Sequence, residues 1–522
     1  MRAPSIRQIT LLVLLASLGG HAVAARADGD LNRVKHLIVV VQENHSFDNY
    51  FGVLPYVPGG PYHAGPCHRN DHGCVDGLDC RRHGSTLECK NWNRDADAPR
   101  GTLRKVFSFH SANYCPGPDL NHDWPGTHQE ANFNNPTKTL RHSPNDGFVR
   151  VNDATSQPDS GRETSTDDDT MGYYDQTDLP FYYGLAQTFA IGDRFFSSVI
   201  GPTLPNRAYQ LAATSFGHLT TFEIVPPLVP PPGGYKPITG TILDLLDQHG
   251  VGWTNFFADA PTTAIFRGTD PTHLIPVPFF AVLANPQVCG LPPVSFVDPA
   301  LGFQDPTVEN DEHPPTDIRK GQFFVSGIVN TLRNSACWKD SIIFLTYDEH
   351  GGFYDHVAPP PAPQGGAPNP DGIDPGLCAD ASGPGTEQPG AGQQCAVSMA
   401  DAKALCPDFT PAGPYPSSCP NFDQLGFRVP FVAISPFSKP GYVSHVVSDH
   451  TSMLAFLEKR FLRDATGAQP HLTLRDLHAS TLEDLFDFDG SPSLQATIPT
   501  APPPSPNDEG CGGSPSGAFL SR

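Results

Sequence analysis

One unbroken apolar run near the start of the chain, at residues 34–41, constrains the fold more than any other feature. The run reads VKHLIVVV and hardly alternates between apolar and polar residues. Strands with one face in water alternate, whereas strands of a parallel sheet are covered on both faces and do not. A second run of this kind, SIIFLTY, spans residues 341–347. The two runs predict a parallel sheet with both faces covered.

Further segments of helical and extended character alternate along the chain. Residues 317–334 carry apolar side chains at helical spacing, and Asp178 just before Pro180 is a helix start signal. The alternation predicts an α/β protein with a mainly parallel central sheet flanked by helices. The expected helices are 179–191, 241–248, 317–334 and 451–462, the last with Asp449 or Ser452 as N-cap, and the further expected strands are 251–257 and 429–435.

Both buried runs end abruptly in polar residues. Glu43 and Asn44 follow the first run, and Asp348 and Glu349 follow the second. In open α/β sheets, ligands bind beyond the carboxyl ends of the strands, and carboxylate and amide oxygens suit a hard divalent cation. One acidic pair after a strand is more often a turn or a helix cap. Two matching pairs favour a shared cation site, although the sequence does not identify the metal.

The first 27 residues have the pattern of a secretory signal peptide. Arg2 and Arg7 form a short basic region before an apolar run at 9–18, and small residues follow at 22–27. The run is too short to span a bilayer, and no later run approaches the ~20 apolar residues that a membrane span needs. We therefore expect export, to the periplasm or the extracellular space, and no transmembrane segment.

The rest of the chain is expected to form one domain over residues 28–495, followed by a Pro-rich tail over 496–522. Two stretches, about 56–170 and 359–420, lack apolar periodicity and are expected to be loop insertions. All 12 cysteines lie beyond the signal segment, and most fall in these stretches. In an exported chain this pattern favours disulfides. A zinc site is the alternative, because histidines crowd the cysteines between residues 67 and 89.

The charge balance excludes one class of partner. Aspartates and glutamates number 55 against 33 lysines and arginines, which gives a formal net charge of −22. Nucleic-acid binding depends on a basic surface. We therefore expect no nucleic-acid partner.

A third polar stretch, MGYYDQTDLPF at residues 171–181, leads into an expected helix. The start of a helix presents free N–H groups, which favour a bound phosphate, so a nucleophile here would be well placed. Thr177 can equally be a helix cap. His122 in LNHDW and His313 in NDEHPP are available for phosphate chemistry, or they only hydrogen-bond within loops.

Five stretches together carry a resemblance. HLIVVVQENHSFDNYFG, MGYYDQTDLPFYYGLA, GPTLPNR, NDEHPP and TYDEHGGFYDHV resemble, in this order, the motifs of the bacterial phosphoesterase family. That family contains phosphatidylcholine-type phospholipases C and acid phosphatases and belongs to the alkaline-phosphatase-like superfamily. The resemblance covers residues 36 to about 460. It implies the same α/β fold and a divalent metal cation as cofactor.

The resemblance also implies roles for individual residues. His122 and His313 would contact the phosphoryl group or the leaving group. The nucleophile position falls on Asp175, with Thr177 two residues further on. Asp175 would attack, or bind metal while water attacks, or Thr177 would attack instead. The metal ligands would be Glu43, Asn44, Asp348 and Glu349.

These features predict an exported, metal-dependent phosphoesterase. The resemblance favours a phospholipase C that hydrolyses a phosphodiester such as phosphatidylcholine, with transient contact to a membrane surface. An acid phosphatase acting on small phosphomonoesters is the enzymatic alternative. A binding protein for phosphate esters that lost its nucleophile is the alternative from another class, because Asp175 stands where related enzymes carry a hydroxyl residue.

Overall fold

The computed structural model describes residues 30–502 except for short gaps and the longer stretches 137–141, 153–167, 216–220, 222–238, 364–369 and 373–421. The expected signal peptide, most of the second insertion and most of the Pro-rich tail lie outside the described residues. The strands are β1 His36–Gln42, β2 Cys80–His83, β3 Thr86–Cys89, β4 Trp92–Arg94, β5 Lys105–Phe107, β6 Phe109–His110, β7 Gly172–Tyr173, β8 Ala190–Gly192, β9 Phe195–Phe196, β10 Trp253–Phe256, β11 Leu274–Ile275, β12 Val294–Val297, β13 Ser341–Tyr347, β14 Phe431–Ile434, β15 Val443–Ser444 and β16 Ser448–Asp449. The α-helices are α1 Phe47–Phe51, α2 Trp124–Ala131, α3 Phe148–Val151, α4 Pro180–Thr188, α5 Thr203–Ala212, α6 Ile242–Gln248, α7 Ile318–Arg333, α8 His450–Leu457 and α9 Leu474–His478.

Eight strands form one sheet in the order β11–β10–β12–β1–β13–β14–β8–β15. Every neighbouring pair is parallel except the two that β14 makes, with β13 and with β8. β1 and β13 lie side by side and pair along their full length, from His36 opposite Ser341 to Gln42 opposite Tyr347. Both strands are buried apart from His36, at the start of β1. The predicted α/β fold with a mainly parallel sheet is confirmed.

Several expected elements appear within a few residues of their predicted bounds. The amphipathic helix expected at 317–334 is α7, whose N-cap Asp317 accepts a hydrogen bond from the backbone N–H of Arg319. The helix expected at 241–248 is α6, and Thr241 forms a capping box with Asp244. Asp449 caps α8, as one of the two predicted alternatives.

The structure differs from these expectations in four respects. The helix expected at 179–191 ends at Thr188, and residues 190–192 form β8, because the apolar pattern there continues into the sheet. Asp178 is not its cap; the N-cap is Leu179, without a side-chain hydrogen bond. The strand expected at 429–435 is β14, and it runs antiparallel to β13. The helix expected at 451–462 is α-helical only to Leu457 and then continues as a π-helical turn.

The first expected insertion contains more regular structure than a set of loops. It holds two hairpins, β2–β3 and β4–β5, together with α2 and α3. Disulfides Cys67–Cys74 and Cys80–Cys89 close short loops within it, and Cys289–Cys337 is a third described disulfide. The described cysteines are therefore oxidised rather than zinc ligands, and those of the second insertion lie outside the described residues. Within the described chain, no helix has the length and apolar character needed to cross a bilayer.

A buried ion network fastens the segments that follow β1 and β13. The fully buried Arg428 donates to Asp355, 2.9 Å away, and to Asp48, also 2.9 Å away. His356 contacts the other oxygen of Asp48 at 2.6 Å and lies 3.3 Å from Asp76. Removing one member of such a network would leave a buried charge without its partner, which is strongly destabilising. The network thus fixes the two polar segments against each other.

This network predicts that stability falls at alkaline pH. Burial lowers the pKa of His356, but Asp48 and Asp76 outweigh it and raise this pKa to about 9, above the ordinary 6.5. The folded state therefore holds the proton more tightly than the unfolded chain, and the stabilisation is complete below pH ~6.5 and lost as the pH rises through ~9. We expect His356→Gln to remove about 3 kcal/mol of this pH-dependent stability. Urea unfolding at pH 6 and pH 10 measures it.

The matched control is His83→Gln, since His83 lies on an exposed hairpin. This variant should keep the wild-type difference between the two pH values. Equal pH dependence in wild type and His356→Gln would contradict the assignment.

Candidate active site

The pairing of β1 with β13 brings the two predicted ligand pairs together. The backbone N–H of Asn44 donates to Asp348 Oδ1 at 3.3 Å, and the backbone N–H of Asp348 donates to the carbonyl of Gln42 at 3.1 Å. Asn44 has a φ of 64°, in the left-handed region, so the chain turns sharply as it leaves β1. Glu43, Asn44, Asp348 and Glu349 are therefore adjacent in space although about 300 residues separate the two pairs.

Gly351 allows this close approach. Its φ is 62°, and a Cβ placed on it would lie 2.1 Å from the carbonyl oxygen of Asn44. Real Cβ atoms do not approach that closely, so any side chain here would push the two strand ends apart. The Gly-Gly that follows Asp348, Glu349 and His350 in the sequence is thus a packing requirement of the site.

Each of the four predicted ligands has one buried oxygen that accepts no hydrogen bond from the described residues. All four side chains are at most 1% exposed. A buried carboxylate or amide oxygen without a donor is costly, and four such oxygens on adjacent residues of the two strand ends suit a bound cation. The atoms are Glu43 Oε2, Asn44 Oδ1, Asp348 Oδ2 and Glu349 Oε1.

Mutual repulsion is the other sign of a site suited to a cation. Burial and the charge of Glu43 raise the pKa of Asp348 to about 7. A hard divalent cation would relieve this repulsion and take oxygen ligands of this kind. The donor set therefore fits the predicted cofactor, and the assignment of each residue as a ligand stays a prediction.

Arg207 partly compensates the negative charge. It lies on α5, is 2% exposed, and its Nη2 donates to Glu43 Oε1 at 2.7 Å. Its Nε lies 3.7 Å from Asp348 Oδ2. Burial lowers the pKa of Arg207, but Glu43 and Asp348 outweigh it, so the guanidinium stays charged. Arg207 thus faces the two carboxylates from α5, while Glu43 Oε2 and Asp348 Oδ2 accept no hydrogen bond from the described residues.

Thr203 is a residue that the sequence analysis did not single out. It is the first residue of α5 and is buried, and Pro202 before it provides no side-chain cap. Thr203 and Arg207 are four residues apart, so their side chains share one face of the helix. Asn206 shapes the preceding turn by donating to the carbonyls of Gly201 and Pro202. The sequence GPTLPNR contains a signal that could have identified Thr203, namely a hydroxyl residue at an expected helix start, one turn before Arg207.

Both predicted histidines reach the site. His122 Nε2 lies 3.4 Å from Asn44 Nδ2 and 3.9 Å from Glu349 Oε1. The ligand-type atoms of Asp119, His122 and His313 all lie within 4.8 Å of one another. Burial lowers the pKa of His122, but Glu349 and Asp119 outweigh it and raise it to about 10. These two carboxylates therefore favour the protonated imidazole of His122.

Asp175 and Thr177 lie in a local turn with Asp178, apart from the four predicted ligands. Asp175 Oδ1 accepts from the backbone N–H and the hydroxyl of Thr177, and Asp178 accepts from the backbone N–H of Asp175. His110 donates to Asp178 at 2.7 Å and lies 3.9 Å from Asp175. No contact among the described residues joins Asp175 or Thr177 to the four oxygens. The expectation that Asp175 points into the cation site is not met, because local turn hydrogen bonds hold its carboxylate.

The buried carboxylate of Glu312 links several residues next to the site. Glu312 accepts hydrogen bonds from the hydroxyls of Tyr50, Tyr182 and Tyr347. Burial raises the pKa of Glu312 to about 7, although these donors act against the rise. Its backbone carbonyl contacts His45 Nε2 at 3.0 Å. The residue directly before His313 is thus anchored to both β1 and β13.

Acidic groups and histidines at the carboxyl ends of parallel strands, close to a cationic side chain, suit phosphoryl-transfer chemistry, which depends on positioning and charge stabilisation. The model of the phosphoesterase family matches residues 34–462. The chain belongs to this family and is a hydrolase acting on phosphoric ester bonds.

Two relatives show the degree of similarity. The chain is 29% identical over 471 residues to non-specific phospholipase C1 of Arabidopsis thaliana, covering 88% of this chain and 72% of that protein. It is 29% identical over 507 residues to phospholipase C B of Mycobacterium tuberculosis, covering 90% of this chain and 81% of that protein. A solved structure, human ectonucleotide pyrophosphatase/phosphodiesterase 5, overlaps 59% of this chain and 94% of its own at 12% identity, with a TM-score of 0.30. That overlap is too low to add to the assignment.

We expect Gly351→Ala to damage both stability and activity. The new Cβ would collide with the carbonyl of Asn44, and alanine is strained at this φ by roughly 1–2 kcal/mol before any collision is counted. Thermal unfolding and phosphoesterase activity measure the two effects. Gly327→Ala is the control, because its Cβ meets nothing within 4 Å on α7. A fully active Gly351→Ala would show that the strand ends do not need this contact.

Proposed function

We propose that the protein is an exported, metal-dependent phospholipase C that hydrolyses a phosphodiester such as phosphatidylcholine. The observation that supports the metal most directly is the set of four buried oxygens without donors, on Glu43, Asn44, Asp348 and Glu349. The names of the two relatives, both phospholipases C, support the substrate class. The signal-peptide pattern supports export.

The metal would be held by these four residues. When bound, a divalent cation supplies charge stabilisation to the phosphoryl oxygens and to the attacking oxygen. Arg207 would hold Glu43 and Asp348 in place, since its guanidinium contacts both carboxylates. The chain's own contribution is then positional and electrostatic, as phosphoryl transfer requires.

Thr203 is our preferred nucleophile. Its hydroxyl lies at the N-terminus of α5, where backbone N–H groups and the helix dipole favour a negatively charged phosphoryl group. It shares a helix face with Arg207, which contacts two predicted ligands. Asp175 and Thr177 rank below it because their contacts lie in a separate turn. In-line attack by the Thr203 hydroxyl oxygen would form a P–O bond to threonine and break the P–O bond to diacylglycerol, and the hydroxyl proton would pass to water. The intermediate would be a threonine phosphodiester that keeps the headgroup, and water would then displace Thr203 and release the headgroup as its phosphate monoester.

His122 would protonate the leaving alkoxide in the first step. Its raised pKa keeps the proton available at neutral pH, and its imidazole lies next to Asn44 and Glu349. Asp119 and His313 pack against it and would hold its orientation. A group of this kind typically contributes 10²–10⁴-fold to the rate.

Glu43→Gln tests the metal site. The variant keeps the shape of the side chain but removes a ligand charge, so we expect loss of bound metal and at least a ~10²-fold loss of activity. The unfolding temperature should also fall, because the buried Arg207 loses the charge of its partner. Metal analysis of the purified protein and hydrolysis of p-nitrophenyl phosphorylcholine, with and without chelator, measure metal content and activity. Glu88→Gln, on an exposed hairpin, is the control. Full metal content and full turnover in Glu43→Gln would contradict the assignment of Glu43 as a metal ligand.

A second set of variants identifies the nucleophile. Thr203→Val should lower the rate by several orders of magnitude, because the attacking oxygen is gone while the volume is kept. Thr177→Val and Asp175→Ala should each remove only hydrogen bonds of the local turn. We expect each to lower stability by about 1 kcal/mol and to leave the rate near that of wild type. Rapid quenching with a radiolabelled substrate should trap label on wild type and none on Thr203→Val. An active Thr203→Val beside an inactive Asp175→Ala would reverse the assignment.

The same substrates separate the alternatives. A monoesterase would hydrolyse p-nitrophenyl phosphate in preference to the choline diester. A binding protein would hydrolyse neither, while still binding metal through the four oxygens.

A further inference from the structure

The β4–β5 hairpin presents an unusual outer face. Trp92 and Phe107 lie opposite each other in the antiparallel register, and Arg94 and Lys105 form the next outward-facing pair. All four side chains are exposed, whereas Asn93 and Val106 between them are buried. Trp92 is 39% and Phe107 47% exposed. We call these four residues the hairpin face.

The composition of the hairpin face is unfavourable for a surface that meets only water. Two large aromatic side chains side by side leave apolar area exposed. Two cations directly opposite each other on neighbouring strands repel. Lys105 Nζ lies 3.9 Å from the ring centroid of Trp92, and Arg94 Nη2 donates to the carbonyl of Thr102 at 3.2 Å, so both of these contacts are to neutral groups. Aromatic and basic side chains on one face are the pair that suits the boundary between headgroups and acyl chains.

The inner side of the hairpin fixes this face to the body of the protein. Val106 packs with Val149 of α3 and with Met171. Asn93 Nδ2 donates to the carbonyl of Asn145 at 2.9 Å. The hairpin is therefore held in place on its inner side, and its outer face is exposed among the residues that the structure describes.

A short chain of contacts links the hairpin to the active-site wall. Asn152, directly after α3, accepts a hydrogen bond from the backbone N–H of Asn121 at 2.7 Å. Asn121 precedes His122, which reaches Asn44 and Glu349. The hairpin and the proton donor are thus carried by the same part of the first insertion.

We propose that the hairpin face is the surface by which this protein docks on a phospholipid bilayer that carries anionic headgroups. Trp92 and Phe107 would enter the interfacial layer, and Arg94 and Lys105 would contact lipid phosphates. Charge complementarity selects this partner. The chain as a whole carries −22, so an anionic surface would repel most of it, and a local cation pair would orient the protein within a Debye length of ~8 Å. The inference rests on the proposed function, because it names how the enzyme would reach its lipid.

Tryptophan fluorescence provides a direct test. The chain has four tryptophans, and the other three, Trp124, Trp253 and Trp338, are at most 3% exposed. A blue shift on adding vesicles therefore reports on Trp92. We expect the shift with vesicles of phosphatidylcholine and phosphatidylglycerol in equal parts, and a smaller one with phosphatidylcholine alone. No shift with either vesicle would overturn the proposal.

Variants separate the apolar and ionic contributions. Phe107→Ser should weaken partition into mixed vesicles about fivefold. Its control is Phe323→Ser, since Phe323 is also 47% exposed but lies on α7. Arg94→Gln with Lys105→Gln should weaken partition roughly thirtyfold at low salt, because each basic residue near an anionic surface contributes about a fivefold factor. Equal partition of Phe107→Ser and Phe323→Ser would overturn the proposal, as would a double variant that binds like wild type.

Activity on two substrates keeps the docking surface apart from the chemistry. Phe107→Ser should hydrolyse soluble p-nitrophenyl phosphorylcholine like wild type and hydrolyse vesicle phosphatidylcholine several-fold more slowly. If wild type hydrolyses neither substrate, the proposed function fails, and the vesicle-binding measurements still decide the docking surface. If Phe107→Ser dissociates a dimer and does not change vesicle binding, the face pairs with a second copy and the proposal is overturned.

Discussion

The parallel pairing of β1 with β13 is the interaction on which the rest of the structure depends. It pairs seven residues of β1 with seven of β13, so the two polar segments begin side by side at the same edge of the sheet. A shift of one residue would turn every side chain to the other face. Gly351 and the left-handed turn at Asn44 then allow the two segments to touch. Without this register, the acidic groups would remain two unrelated strand ends.

The cost of this arrangement is a concentration of buried negative charge. Arg207 compensates part of it on one side, and Arg428 with His356 compensates the carboxylates one layer further out. The outer network is satisfied by its own cations, whereas the inner cluster keeps four oxygens without donors. This difference distinguishes the structural ion network from the residues predicted to bind a cation. It also implies that a bound cation would stabilise the folded state, since it would bind there and not to the unfolded chain.

The first insertion is joined by specific contacts to the candidate site. Its disulfides, Cys67–Cys74 and Cys80–Cys89, close short loops, and its helix α2 follows directly on His122. Glu130 of α2 contacts His350 at 2.7 Å, which binds the insertion to the segment after β13. A segment with little apolar periodicity can hold its shape in this way because polar contacts to the sheet ends and covalent links replace a core of its own.

The sequence alone determined the buried strands, the α/β class and the chemistry at the strand ends, because unbroken apolar runs and the residues that end them are local signals. Glu43, Asn44, Asp348 and Glu349 were readable for that reason. The tertiary structure alone decided which other groups join them. Thr203 is a candidate nucleophile because Arg207, one helical turn away, contacts Glu43. Asp175 is a weaker candidate because Thr177 and Asp178 hold it in a local turn. Such choices depend on contacts between segments far apart in the chain, which no local pattern encodes.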